Sequence, residues 1–407
     1  MSGESGGGPR LEIRAEATVP AKTTLAEAAE AVQEAPQRAR LAELPLRLPH
    51  VLDYEADASA LPKPRRGRVV ALFVVLGVGL VVATLASAAI GQMQIPIVEV
   101  IGSLCRKVGL SCGAAPIHPN ADAALWEVRF PRVVLGVFVG AALAVAGAIM
   151  QGVFGNPLAD PGIIGVSSGA AVGASLMIVT GLAAGSSFAI PLGAFVTGVG
   201  TALLIYSISR SRGRTEVVTL ILTGIAVNAF AGAALALMTF AGTTNQREQI
   251  VFWQLGSLAG ALWSSVATVL PLLIIGLVFA VLIAGKLDLL SLGDDAARHL
   301  GLDIERLRIG SILIVSLLTA AAVAFAGIIG FVGLVIPHLI RMLVGPGHRV
   351  LVPASALGGA VLLVLADTFA RTAISYAELP LGMLTALIGG PFFFFLLKSS
   401  RTKNGGW

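Results

Sequence analysis

From residue 69 to residue 397 the chain is a succession of long apolar runs broken by short polar turns. At about 20 residues per bilayer crossing, ten runs are candidates: 69–90, 131–153, 163–183, 187–208, 217–240, 266–284, 309–329, 331–344, 351–370 and 381–397. The eighth is short and its ends are ambiguous. The pattern predicts an all-α, polytopic membrane protein with about ten transmembrane helices over residues 67–401. One polar island interrupts it. Residues 285–308 carry nine charged side chains between two apolar runs. Within them Leu292, Ala296, Leu300 and Leu302 recur at near-helical spacing, and Gly293 and Gly301 punctuate two short helical turns. An amphipathic loop has a face to offer a soluble partner; a solvated connector is the plain alternative.

Composition strengthens the membrane reading. The chain is 56% hydrophobic with a mean hydropathy of +0.88 and only 13% charged, against about 25% charged in soluble domains. Its 48 glycines suit helices that approach closely in lipid. Residues 1–66 differ: they are polar, rich in Ala, Glu, Arg and Pro, and Pro36 interrupts a possible helix over 24–44. No apolar core follows the N-terminus, which argues against a signal peptide. This segment reads as a disordered or loosely helical cytoplasmic tail, and residues 402–407 as a short C-terminal tail.

The formal charge of +5 reports topology rather than nucleic-acid binding, because residues 1–68 hold equal numbers of acidic and basic side chains. Arg66 and Arg68 abut the first run. Arg210, Arg212 and Arg214, then Lys286, Arg298, Arg306 and Arg308, then Arg349, then Lys398, Arg401 and Lys403 fall in loops on that same side. By the positive-inside rule that side is the cytoplasm. With an even number of spans both termini are cytoplasmic. The opposite side holds fewer basic residues, among them Arg106, Lys107, Arg129, Arg132, Arg247 and Arg371.

Little here supports bond chemistry. Cys105 and Cys112 are too few for a zinc cluster or an iron–sulfur centre. They lie in the long outer loop, where a bridge between them and two unpaired thiols are both open. The five histidines are scattered, and the single Gly-Lys pair, Gly285-Lys286, is followed by Leu287, so there is no phosphate-binding loop. Catalytic residues, metal ligands and cofactors are therefore not expected.

Three stretches carry the specific signals. In Gln151-Gly152-Val153-Phe154-Gly155-Asn156-Pro157-Leu158-Ala159-Asp160-Pro161-Gly162-Ile163-Ile164-Gly165-Val166-Ser167-Ser168-Gly169-Ala170, two prolines and closely spaced glycines break a helix. Asn156 and Asp160 can cap the freed backbone groups. In Gly327-Ile328-Ile329-Gly330-Phe331-Val332-Gly333-Leu334-Val335-Ile336-Pro337-His338-Leu339-Ile340-Arg341, Pro337 removes a donor inside an apolar run, and His338 and Arg341 share one face. The third is Ala366-Asp367-Thr368-Phe369-Ala370-Arg371 with Ala377-Glu378-Leu379-Pro380, beside Arg129-Phe130-Pro131-Arg132. Asp367 and Arg371, four apart, can pair along a helix. A fainter signal is the likeness of residues 144–149 to 324–329, in spans that cross in opposite directions, as inverted repeats require.

These stretches, with Leu292-Gly293-Asp294-Asp295-Ala296-Ala297-Arg298-His299-Leu300-Gly301-Leu302, resemble the iron-chelate, haem and cobalamin permeases, the membrane subunits of type II ABC importers. The resemblance covers residues 69–401 and implies a homodimeric permease with two ATPase subunits on the cytoplasmic face. It also implies a periplasmic or lipid-anchored substrate-binding protein on the outer face, and residence in the cytoplasmic (inner) membrane. Residues 286–308 would form two short coupling helices, with Gly293, Asp294, Ala297, Arg298, Leu300 and Gly301 meeting the ATPase. Arg129, Arg132 and Arg371 would receive acidic side chains of the binding protein, with plain interfacial anchoring as the alternative. Val217 and Val218 match the cytoplasmic gate, where the cobalamin permease has small polar residues; here an apolar constriction would close the path. Asn156, Pro157, Asp160, Pro161 and Gly162 belong to the signature loop. The wording of the second and third spans is nearest the haem permeases, so haem is the expected cargo, with a ferric siderophore or cobalamin as alternatives. An ion-coupled secondary transporter is the rival class, and it needs ionisable groups at midplane. Asp367 is the only acid well inside a predicted span.

Overall fold

The computed structural model describes residues 66–110, 112–211 and 214–403. The tail expected at 1–66 lies outside these residues, apart from Arg66, which opens the first helix. The helices are α1 (Arg66–Ala89), α2 (Ile97–Lys107), α3 (Ala121–Phe154), α4 (Val166–Val179), α5 (Ala189–Ile208), α6 (Val217–Ala241) and α7 (Thr244–Leu255). They continue as α8 (Trp263–Leu290), α9 (Asp294–His299), α10 (Ile304–Ala326), α11 (Val332–Val344), α12 (His348–Ala370) and α13 (Leu381–Lys403). A two-residue antiparallel ladder, β1 (Arg210–Ser211) and β2 (Arg214–Thr215), joins α5 to α6.

Every apolar run of the sequence contains a helix. Seven of them (α1, α3, α5, α6, α8, α10 and α12) are long and apolar enough to cross a bilayer, while α4, α11 and the apolar part of α13, Leu381–Phe394, are shorter. The 14 residues of α4 and the 13 of α11 rise only about 20 Å, less than the hydrocarbon core of about 30 Å. The physical reason is the same in both. A broken backbone precedes each helix: a single 3-10 turn, Pro161–Ile164, before α4, and an irregular stretch with Phe331 at φ 66° before α11. Besides α9 in the charged segment, two helices fall outside the apolar runs, α2 and α7. The latter starts on a capping box in which Thr243 and Gln246 satisfy each other's backbone N–H groups.

The centre of the bundle is α3. Its apolar stretch is 83% buried, against 6% for α1 and 17% for α6, and it packs against α8, α10, α11 and α12. Lipid gives apolar helices no hydrophobic reason to associate, so close packing of small residues has to hold them. Gly140 of α3 meets Gly359 of α12 backbone to backbone, and Gly147 meets Gly333 of α11 likewise; a methyl group on any of the four would strike main-chain atoms opposite. α3 also contains Pro131. The wider π-type turn over Ala124–Arg129 that precedes it gives the ring room where a regular helix would clash.

The ends of the bundle are tied by polar bonds. At the end bearing the charged segment, Asp288 of α8 accepts from the backbone N–H of His348 (2.5 Å), and its carboxylate lies 2.9 Å from His348 Nδ1, fixing the start of α12. At the opposite end Ser257 N–H donates to Ala326 O (2.8 Å) and Leu381 N–H to Gly256 O (2.9 Å), joining α7, α10 and α13. There also Cys105 of α2 is bridged to Cys112, with Cα atoms 5.7 Å apart, and a small cluster including Val100, Leu125 and Phe130 fastens α2 to α1 and α3. The likeness of residues 144–149 to 324–329 does not extend to conformation. The first run lies inside α3, whereas α10 ends at Ala326 and Gly327 turns left-handed.

Gly359→Ala should cost about 1–3 kcal/mol through overpacking. Gly77→Ala on α1, where the added methyl meets nothing within 4 Å, should be neutral or slightly stabilising. Thermal denaturation in detergent measures both, and equal shifts for the two would remove backbone contact as the reason α3 and α12 stay together.

Candidate functional site

The charged segment folds as a compact hairpin between α8 and α10. Gly293 (φ 97°) precedes the six residues of α9, and Gly301 (φ 81°) reverses the chain after it. Of the two short helices expected here, only α9 stands alone. The second is the start of α10, capped by Asp303, whose carboxylate accepts from Arg306 N–H (3.0 Å). It is continuous with the long helix because Ile304 and Leu307 bury themselves with Leu287, Leu290 and Ala297.

This changes the reading of individual positions. Ala297 is fully buried and seats α9 on the bundle. Leu300 and Leu292 point the other way, 59% and 61% exposed. Arg298 stays at the surface, 3.9 Å from Asp294 and 3.7 Å from Asp295. Asp294 is held by Arg308, which donates to both carboxylate oxygens at 3.0 Å. Sequence reasoning passed over Glu305 and Thr215, which join this hairpin to the turn before α6. Val217 and Val218 are the first two residues of α6; Val218 is exposed and Val217 half-buried.

The two longest motifs pack on each other. Asn156 Oδ1 accepts from Leu158 N–H (2.9 Å) and Asp160 Oδ1 from Gly162 N–H (2.7 Å), the two caps expected. Pro157 follows Asn156 in the exposed turn, and Pro161 and Gly162 form the 3-10 turn that leads into α4. Asn228 of α6 donates to Gly162 O (3.3 Å), and Pro161 lies against Gly333. Gln151 Nε2 donates to the carbonyls of Gly333 and Leu334 (3.4 and 3.3 Å). A cavity of about 190 Å³ lies between the two motifs, lined by Asp160, Ser167, Thr319 and Gly330 among others. His338 and Arg341 are both half-buried on α11.

At the opposite end three arginines converge on one polar cavity, with Gly91, Met93 and Glu378 among its other walls. Arg132 is the hub. It donates to Asp367 from Nε (3.0 Å) and Nη2 (2.9 Å), and to Glu378 from Nη1 (2.9 Å) and Nη2 (3.0 Å). The pairing expected between Asp367 and Arg371 is present only as a longer contact of 3.7 Å, because Arg132 from α3 already occupies the carboxylate. Arg371 instead donates to Ile90 O (2.6 Å) and to Ser87 O. Arg129 donates to the carbonyls of Ala88, Ala89 and Met93. The C-terminal carbonyls of α1 lack helical partners, and two guanidinium groups supply them. In the exposed turn, the hydrogen bond from Arg132 holds the Glu378 carboxyl below the usual glutamate range.

Comparison with known proteins agrees with this layout. The FecCD transport family matches residues 79–399. The hemin transport system permease protein HmuU of Yersinia pestis is 44% identical over 296 residues, 71% of this chain and 88% of that protein. The cobalamin import system permease protein BtuC of Halobacterium salinarum is 37% identical over 335 residues, 79% of this chain and 89% of that protein. A solved structure described as an inward-facing conformation of a candidate metal-chelate type ABC transporter superposes with a TM-score of 0.71 at 34% identity, covering 81% of this chain and 99% of that one. With sequence, fold and motifs matched over nearly the whole apolar region, the chain belongs to the FecCD transport family.

Proposed function

We propose that this protein is the permease subunit of a type II ABC importer that carries haem across the cytoplasmic membrane. The observation that carries the reading is the 44% identity to a hemin permease over 88% of that protein's length. Cobalamin is the second reading, supported by the archaeal relative, and a ferric siderophore the third. The permease works as a homodimer, with the translocation path along the dimer axis and Val217 and Val218 as its cytoplasmic gate. Two ATPase subunits dock on the α9 hairpin, and a substrate-binding protein docks on the opposite, outer end. Both termini face the cytoplasm. The chain does no bond chemistry; ATP hydrolysis belongs to the partner. Ion-driven transport draws no support from Asp367, buried in α12, because its carboxylate is already paired with Arg132.

Exposure supports a division of roles within the hairpin. Gly293, Asp294 and Gly301 shape it, Ala297 anchors it, and Leu300, Arg298 and Leu292 meet the ATPase. At the outer end, three arginines face two carboxylates (Asp367 and Glu378), so internal pairing leaves the cluster cationic and able to steer an acidic partner.

Permease co-reconstituted with its ATPase and binding protein should take up haem with ATP, and haem should raise hydrolysis; stimulation by cobalamin or a ferric hydroxamate but not haem would transfer the assignment to that ligand. Leu300→Asp should abolish co-purification of the ATPase while leaving the melting temperature of the permease unchanged, whereas Ala297→Asp should lower that temperature, because an unpaired charge is then buried. Glu378→Gln should speed association of the binding protein and steepen its salt dependence, since it adds one net positive charge to each protomer; an unchanged rate and slope would return the arginines to a structural role. The Glu378 carboxyl is depressed by Arg132. The stability it contributes is therefore present above the unfolded value of about 4.3 and is lost as pH falls through the lower folded value. The Glu378→Gln protein should lose less stability than the parent on acidification below pH of about 4.

A further inference from the structure

The turn between α5 and α6 is gripped by the first two turns of α10. Thr215, 4% exposed, donates its backbone N–H to Glu305 Oε2 (3.0 Å) and its hydroxyl to Glu305 Oε1 (2.5 Å). Tyr206 of α5 donates to the same Oε1 (3.3 Å). On its other side the carbonyl of Thr215 accepts from Arg308 Nη1 (3.4 Å), and the Nη2 of that guanidinium holds both carboxylate oxygens of Asp294 (3.0 Å each). Asp294 is the first residue of α9. Thr215 lies two positions before Val217, the first residue of α6.

Each contact is charge-assisted, the stronger class of hydrogen bond. Both backbone polar groups of Thr215 and its hydroxyl are committed, so the turn cannot slide along α10 without breaking several bonds together. α9 is thus connected to the start of α6 through one arginine and one threonine. We propose that Thr215 is a latch: clamped between Glu305 and Arg308, it conveys displacement of α9 to the start of α6. The proposal rests on the importer reading and adds to it the residues that carry motion from the ATPase face to the gate. Thr215 is a positioning residue; it touches no substrate.

The test uses the full-length homodimer with its ATPase in lipid nanodiscs and a nitroxide on Leu222→Cys, one turn inside α6, with the native cysteines already bridged. The distance between the two labels is read by pulsed electron spin resonance with and without nucleotide. Transport per ATP is measured on the same proteins in proteoliposomes. The parent and Thr215→Ser, which keeps the hydroxyl, should shift their label distance with nucleotide. Thr215→Val should hydrolyse ATP without the shift and transport at least about fivefold less per ATP, the lower end of coupling between sites. Arg308→Gln, which leaves the Thr215–Glu305 bonds in place, should lose the shift too and keeps the test alive if Thr215→Val fails to fold. A full shift in Thr215→Val or Arg308→Gln overturns the latch alone. No shift in the parent overturns the importer reading and the latch with it.

Discussion

Backbone-to-backbone contact along α3 is the constraint on which the rest depends. Water drives apolar helices together, but lipid does not, so α3 is held where Gly140 meets Gly359 and Gly147 meets Gly333 with no side chain between them. The main chains on either side are then fixed, and so are the groups mounted on α3. One end presents Arg132 to Asp367 of α12; the other presents Gln151 to the carbonyls of α11 and leads into the broken loop before α4. A single central helix thus sets the geometry of the arginine cluster and of both signature motifs.

The polar groups inside the bundle are mostly spent on the bundle itself. Asp367 is buried but paired; Arg129 and Arg371 satisfy the last carbonyls of α1. A charge at membrane depth commonly marks a functional pathway. Here the same groups close a helix end and lock three helices together. The end bearing the charged segment is tied in the same way. Arg308 bridges Asp294 and Thr215, and Glu305 collects two donors from the α5–α6 turn and one from Tyr206 of α5.

Much of this was legible in the sequence, and for local reasons. Ten apolar runs announce helices, and Asn156 and Asp160 announce the caps of a broken loop because both act within two residues of themselves. The capping box Thr243-Thr244-Asn245-Gln246 was equally local and would have located α7. Other features could not be read this way. Arg132 and Asp367 are 235 positions apart, so nothing short of the fold sets that pair above the i,i+4 neighbours Asp367 and Arg371. Likewise the amphipathic pattern of the hairpin predicts one inward and one outward face, yet only packing decides that Ala297 faces inward and Leu300 outward. Thr215 gave no signal at all, being an ordinary threonine in a polar turn until α10 closes on it.

The central claim is that residues 292–302 form the face on which an ATPase subunit sits. Hydrogen exchange of the reconstituted permease, with and without that subunit, measures this directly. Slowed exchange is expected over residues 292–302, with no change in the bridged segment around Cys105 and Cys112. Protection confined to another surface, with residues 292–302 exchanging as fast in the complex as in the free permease, would contradict it.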